Sequence, residues 1–338
     1  MTPPPIIDMR LESLLARCPW IKDFFNAHDI DLDPHLNETF RQMTARFDDR
    51  FFDDLGTERE RFVSDFTRFV EGMRALATAN QSCISTLAIT PGMDKTRQPE
   101  PAGAIFRMGE VTAIVGPTGS GKSRLLEDVE CLAQGDTPTG RFIHIDGATP
   151  SDEMRFATEE RLIAQLSQNM NFVMDLTAED FVTMHAESRM VTDIGRTVSD
   201  ILNAANALAG EPFARTQPLT QLSGGQSRAL MIADTALLSA APIVLIDEIE
   251  NAGVDKIKAL ELLVSTRKIV LISTHDPLLA LSAHQRIVIR NGGMQKVLVT
   301  SDSERQTLAR LKIMDRSLSA IRAGLRNGEV IDAEALSK

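Results

Sequence analysis

Tyrosine is absent from this 338-residue chain, tryptophan occurs once, and aromatic residues make up 5%. A site that needs a phenolic hydroxyl is therefore excluded, and any stacking surface must come from phenylalanine or the single Trp20. Cysteine is also scarce. Cys18, Cys83 and Cys131 stand far apart with no CxxC pair, which argues against a disulfide framework or a cysteine-based metal site and fits a reducing cytoplasm. No run of about eighteen apolar residues occurs, so the sequence offers no helix to span a bilayer. Met1-Thr2-Pro3-Pro4-Pro5 lacks the basic region and apolar core of a secretory signal. Basic residues are outnumbered, 36 against 47, giving a net charge of −11. That balance disfavours nucleic acid as a partner. Arg305, Arg310, Lys312, Arg316, Arg322 and Arg326 near the C-terminus support such a partner only weakly. The expected location is cytoplasmic.

The chain is organised around Gly116-Pro117-Thr118-Gly119-Ser120-Gly121-Lys122-Ser123. An apolar run, residues 111–115, precedes it, and a helical pattern follows. Strand, glycine-rich loop and helix are the context of a P-loop. The glycines let successive backbone N–H groups turn inward onto a phosphate, and the new helix adds its positive end. Lys122 then reaches the β- and γ-phosphates of a nucleotide, and Ser123 binds Mg²⁺.

Residues 1–82 read as a separate helical domain. Met9, Leu11, Leu14 and Leu15 recur at helical spacing, and a second short helix runs from Trp20 to Ala27. Asp33-Pro34 opens a helix that carries Leu36, Phe40, Met43, Phe47 and Phe51 as far as Gly56. Thr57 and Glu60 make a capping box for the next one. These phenylalanines read as a small aromatic core, with Trp20, Phe24 and Phe25 weighed as interface anchors. Residues 83–300 follow the pattern of an α/β domain. Residues 91–103 hold three prolines, two glycines and no aromatic, and read as a loop. Residues 105–110 lead into the P-loop strand. The stretch 177–208 is helical. Residues 243–246 and 269–272 are unalternating apolar runs, which is the pattern of parallel strands buried on both faces. Residues 301–338 form a C-terminal helical extension, with the helix over about 302–326.

The first apolar run ends in Asp247-Glu248 and the second leads to His275. Strand ends are where open α/β sheets bind ligands. Asp247 can hold Mg²⁺, Glu248 can orient or deprotonate an attacking water, and His275 can contact a γ-phosphate. With Leu222-Ser223-Gly224-Gly225-Gln226 ahead of the Asp247 strand, the sequence resembles the ATP-binding cassette (ABC) ATPase family over about residues 84–295. The resemblance implies an α/β P-loop fold with a mainly parallel sheet, an antiparallel β part and a helical subdomain, here preceded by a small all-α domain. It implies Gln168 as the Q-loop glutamine at the metal and the attacking water, Asp255 as the D-loop aspartate, and Ser223, Gly224, Gly225 and Gln226 as nucleotide contacts in trans. It also implies a Mg²⁺-dependent ATPase and a head-to-tail homodimer that sandwiches two ATP molecules.

The chain departs from the family pattern in three ways. The family stacks adenine on an aromatic, most often tyrosine, about twenty-five residues before the P-loop, and this chain has none there. The Walker B to D-loop stretch, residues 247–255, is about one residue longer than usual. A helical domain precedes the cassette. These departures favour a cassette whose dimer closure remodels, assembles or activates a soluble partner complex. The alternative is the ATPase subunit of a membrane transporter working on a permease. A DNA-associated ATPase lacks its coiled-coil insertion here, and Glu248 argues against a nucleotide-gated scaffold that does not hydrolyse.

Overall fold

The computed structural model describes residues 5–18, 20–79, 84–156, 162–167, 172–249 and 253–331. Two units emerge: Met1–Ser82 with Thr183–Thr197, and Cys83–Val182 with Val198–Lys338. In the first, helices α1 (Leu11–Arg17) and α2 (Ile21–Ala27) form as the spacing predicts. The single helix expected from Asp33 to Gly56 does not. It is broken into a 3-10 turn at Asp33–His35, α3 (Phe40–Arg46) and α4 (Asp49–Asp54). Side chains inside the stretch cap the pieces. Thr39 Oγ1 accepts from the N–H of Gln42 at 3.2 Å while Gln42 Oε1 accepts from the N–H of Thr39 at 2.9 Å. Phe47 is extended, and Asp48 accepts from the N–H of Phe51 at 3.0 Å. The capping box expected at Thr57 is not made: α5 starts at Arg59 and runs to Ala79, and Thr57 Oγ1 is buried without a partner.

The apolar spacing survives these breaks, because each piece still turns its stripe inward. Phe24, Phe25, Phe40, Phe62 and Phe66 are buried together, with Phe40 and Phe66 stacked at 3.7 Å. Each such ring contributes about 1.5–3 kcal/mol of burial free energy. Phe24 and Phe25 are thus core residues and not interface anchors. Trp20 is half-buried against the edge of Phe69.

In the second unit, β1 (Thr86–Ile89), β2 (Ala104–Arg107) and β4 (Ile143–Ile145) form an antiparallel sheet in the order β2-β1-β4. Residues 105–107 therefore belong to this small sheet, and a turn with Gly109 at φ +76° separates them from the P-loop strand β3 (Val111–Val115). The main sheet has the order β5-β6-β7-β3-β8-β9, built from β5 (Ile163–Leu166), β6 (Ile243–Asp247), β7 (Ile269–Ser273), β8 (Gln285–Arg290) and β9 (Gly293–Val299). Its pairs are parallel except β8 with β9. Strands β3, β6 and β7 are almost wholly buried, as unalternating apolar runs require.

The helices of this part of the chain are α6 (Lys122–Glu130), α7 (Asp152–Phe156), α8 (Ala178–Ser188), α9 (Ile194–Leu208), α10 (Gly224–Leu237), α11 (Lys256–Ser265), α12 (Pro277–Ser282) and α13 (Asp302–Arg326). The helical stretch expected over 177–208 is two helices, with Met190 at φ +54° between them. Two apolar layers sandwich the main sheet. One includes Ile114, Leu125, Leu245 and Leu271, and the other Ala113, Val244, Val270 and Leu260. The C-terminal helix α13 spans the expected residues and falls within the second unit.

Candidate functional site

The P-loop turns between β3 and α6 as its glycines dictate. Gly119 and Gly121 take φ +73° and +106°, a region that L side chains avoid. A Cβ on Gly116 would come within 2.4 Å of the Ile289 carbonyl and 2.7 Å of Ser120 Oγ. The bare backbone is thus enforced on both sides of the loop. Lys122 opens α6 and is only 8% exposed, with its ammonium donating to the carbonyls of Gly116 at 3.1 Å and Pro117 at 3.3 Å. Ser120 Oγ is buried without a partner among the described residues. A loop with enforced glycines, an inward lysine and an unsatisfied hydroxyl fits a polyphosphate.

The sheet brings the carboxylates and the histidine to this loop. β6, β7 and β3 are adjacent and parallel, so their C-terminal ends lie on one edge. Ser273 pairs in register with both Ile114 and Asp247, and the N–H of Thr274 donates to the Ile114 carbonyl at 3.1 Å. Asp247 Oδ2 lies 3.4 Å from Ser123 Oγ. An aspartate and a serine hydroxyl at that distance form a hard oxygen donor set suited to Mg²⁺. Glu248 follows at φ +50°, which turns its side chain out of the strand's alternation. Its N–H donates to the Ser273 carbonyl at 3.0 Å. His275 is exposed two residues beyond β7.

The remaining expected site residues are less closely gathered. Ser223 caps α10: its hydroxyl accepts from the N–H of Gln226 at 3.3 Å, and Gln226 Oε1 accepts from the N–H of Ser223 at 2.9 Å. The two polar side chains of the signature thereby hold the helix start open, with Ser223 and Gly224 exposed and Gly224 clear of neighbours. No hydrogen bond joins these residues to the P-loop among the described residues. Asp255 caps α11, accepting from the N–H of Lys258 at 3.1 Å. Gln168 lies outside the described residues.

Two supports escaped the sequence reading. Arg228, 6% exposed on the first turns of α10, donates to the carbonyls of Ser167 at 2.9 Å and Glu248 at 3.4 Å. It ties the signature helix to the segment that carries Glu248. Arg141 forms a second node, with no exposed surface. Its guanidinium donates to Glu100 at 3.1 and 2.5 Å, to Asp128 at 2.7 Å and to the Gly292 carbonyl at 2.9 Å. Glu100 also accepts from the N–H groups of Gly92 and Met294, at 2.7 and 2.6 Å. This node clamps helix α6, the 91–103 loop and the β8–β9 turn behind the P-loop. Burial pulls the Arg141 pKa down, but the hydrogen bonds and charge of Glu100, then Asp128, raise it above its ordinary value.

Comparison with known proteins agrees with this geometry. The family model described as ABC transporter matches residues 102–251. An uncharacterized ABC transporter ATP-binding protein of Methanocaldococcus jannaschii is 50% identical over 255 residues, which is 75% of this chain and 97% of that protein. The macrolide export ATP-binding/permease protein MacB of Escherichia coli is 31% identical over 208 residues, or 58% of this chain, and the match spans only 32% of MacB. Among solved structures, cbiO1 of Clostridium perfringens, described as part of the ABC transporter complex cbiONQ, shares the fold. Its TM-score is 0.52 at 20% identity, over 73% of this chain and all of that one. With the P-loop, Asp247, Glu248 and His275 gathered on one sheet edge and the signature capping α10, the chain belongs to the ABC ATPase family and is an ATP-binding, ATP-hydrolysing protein.

Proposed function

We propose that this ATPase is the motor subunit of an ABC transporter, working on the cytoplasmic face with a separate permease. The observation that carries the reading is the convergence of the P-loop, Ser123–Asp247, Glu248 and His275 at one edge, while the signature helix start stays exposed. The relatives supply the transport context, because they are described as ATP-binding proteins of ABC transporters or as export ATP-binding/permease proteins.

In this reading the loop N–H groups of residues 116–123 and the Lys122 ammonium bind the phosphates of ATP. Ser123 and Asp247, with Gln168, would hold Mg²⁺, which would supply charge neutralisation for phosphoryl transfer. Glu248 accepts a proton from a water whose oxygen attacks the γ-phosphorus, the bond to the bridging oxygen breaks, and ADP and phosphate leave. His275 contacts the γ-phosphate. Ser223, Gly224, Gly225 and the α10 N-terminus complete the site on the nucleotide of a second copy. Gln226 acts mainly by holding that helix start in shape. Asp255 links the two sites. Each half-site is incomplete alone, so ATP closes a head-to-tail homodimer.

The test is a pair of variants. Glu248→Gln should slow Mg²⁺-dependent hydrolysis by roughly 100-fold or more, the scale of a lost general base, and trap an ATP-dependent dimer. A mixed dimer of Lys122→Ala and Ser223→Arg chains should regain one intact composite site. Wild type without Mg²⁺-dependent ATPase in the presence of its partner, or Glu248→Gln that stays monomeric with ATP, would sink the reading.

One observation favours a second reading, remodelling of a soluble complex. The first unit has its own aromatic core, and the M. jannaschii match accounts for only 75% of this chain. Purification of the native complex decides between them: permease subunits select transport, and soluble enzyme subunits select remodelling.

A further inference from the structure

The loop between β1 and β2, residues 91–103, offers no aromatic ring to a base, yet it is built against the P-loop. Lys95 carries the contact. Its backbone N–H donates to the Asn291 carbonyl at 2.9 Å, and its ammonium donates to the Gly119 carbonyl at 2.8 Å. The turn between β8 and β9 forms the floor. Gly292 donates its N–H to the Ser120 carbonyl at 2.6 Å, and a Cβ on Gly292 would come within 2.8 Å of Lys95 Cγ. Gly292 sits at φ +82°, and a Cβ on Gly121 would come within 2.8 Å of its Cα. The stem of Lys95 therefore crosses bare backbone to deliver a charge at the rim of the phosphate loop.

We infer that Lys95 is a second phosphate-recognising cation of the nucleotide site, and that the site reads the triphosphate in place of the base. The inference rests on the P-loop being an ATP site. An ammonium has three N–H donors, and Gly119 takes one. Two remain for an anion beside Gly119 and Ser120. The adjacent Asp94 does not neutralise them, because its carboxylate is turned into its own loop. It accepts from Thr96 and Gln98 N–H at 2.8 and 2.9 Å and from Asn291 Nδ2 at 3.1 Å. Lys122 supplies the first cation from the other side of the loop, bonded to Gly116 and Pro117. Two cations flanking the phosphates give affinity without regard to the base. Purine nucleoside triphosphates should then bind alike.

The experiment measures binding of ATP, GTP and inorganic tripolyphosphate to the full-length wild type, Lys95→Ala and Lys95→Arg at low and high salt. Expected is a loss of about fivefold in Lys95→Ala for all three probes, with a flatter salt dependence than wild type and recovery in Lys95→Arg. Unchanged affinity in Lys95→Ala overturns the role. So does a loss confined to ATP, which would mean base recognition, or a loss of the same size at both salt concentrations, which would make Lys95 only a structural pin of Gly119. Failure of the wild type to bind any of the three would instead overturn the nucleotide site itself, and the lysine's role with it.

Discussion

Arg141 shows what a single residue can hold in place. It reaches Glu100, 41 positions away, and Asp128, 13 away, with both carboxylates fully buried. Nothing local in the sequence announces such a cluster, because burial of three charges is decided by elements that meet only in the folded chain. The P-loop is the opposite case. Gly119, Gly121 and Lys122 were legible because their backbone and charge requirements lie within eight consecutive residues. Arg141→Met should leave two buried carboxylates unpaired and cost about 3–5 kcal/mol, read from urea unfolding. Adding Glu100→Gln and Asp128→Asn should recover much of that loss, since the stranded charges and not the missing packing dominate. A single variant as stable as wild type would show that the node is dispensable.

At the scale of elements, apolar periodicity located the helices and strands but not their breaks. The stripe from Phe40 to Phe52 runs through α3 and α4 although Thr39 and Asp48 cap them separately. Capping competes with helix continuation over a few tenths to a kcal/mol, a balance that tertiary packing settles. The sheet that β2 joins is open in the sequence for a related reason: four residues of β pattern do not say which sheet will pair with them. The start of α13 is better determined. Ser301 and Glu304 cap it reciprocally, and Glu304 also pairs with Arg286 on β8. The Arg286 hydrogen bond, with the Ser301 N–H behind it, lowers the Glu304 pKa from 4.5 to about 2. A lowered carboxylate pKa stabilises the fold above the unfolded value, and that contribution fades as pH falls from about 4.5 toward 2. Melting temperatures of wild type and Glu304→Gln should therefore differ near neutral pH, and the gap should close across that acid window. A gap that stays constant down to pH 2 would mean the pair is not coupled to folding.

At the scale of the whole molecule, the boundary at residue 82 is visible in composition, where phenylalanine-rich helices give way to β pattern. What composition hides is that Thr183–Thr197 falls into one unit with Met1–Ser82. That segment sits between the P-loop and the signature in sequence, so no local pattern could assign it to the N-terminal part. All motifs that the chemistry uses lie outside the first unit, and both sheets belong wholly to the second. We propose that the N-terminal helices dock a partner and take no part in hydrolysis. Removing residues 1–82 should leave ATP affinity and basal ATPase within a few-fold of wild type and abolish recovery of the partner. It should also deprive residues 183–197 of the rest of their unit. Their amide hydrogen exchange should then speed up, while that of β3, β6 and β7 stays slow. A truncated chain that recovers its partner in full would end the docking idea. Unchanged protection of residues 183–197 would show that their grouping with the N-terminal helices carries no stability. Loss of ATP binding in a folded truncation would place the N-terminal helices in the nucleotide site.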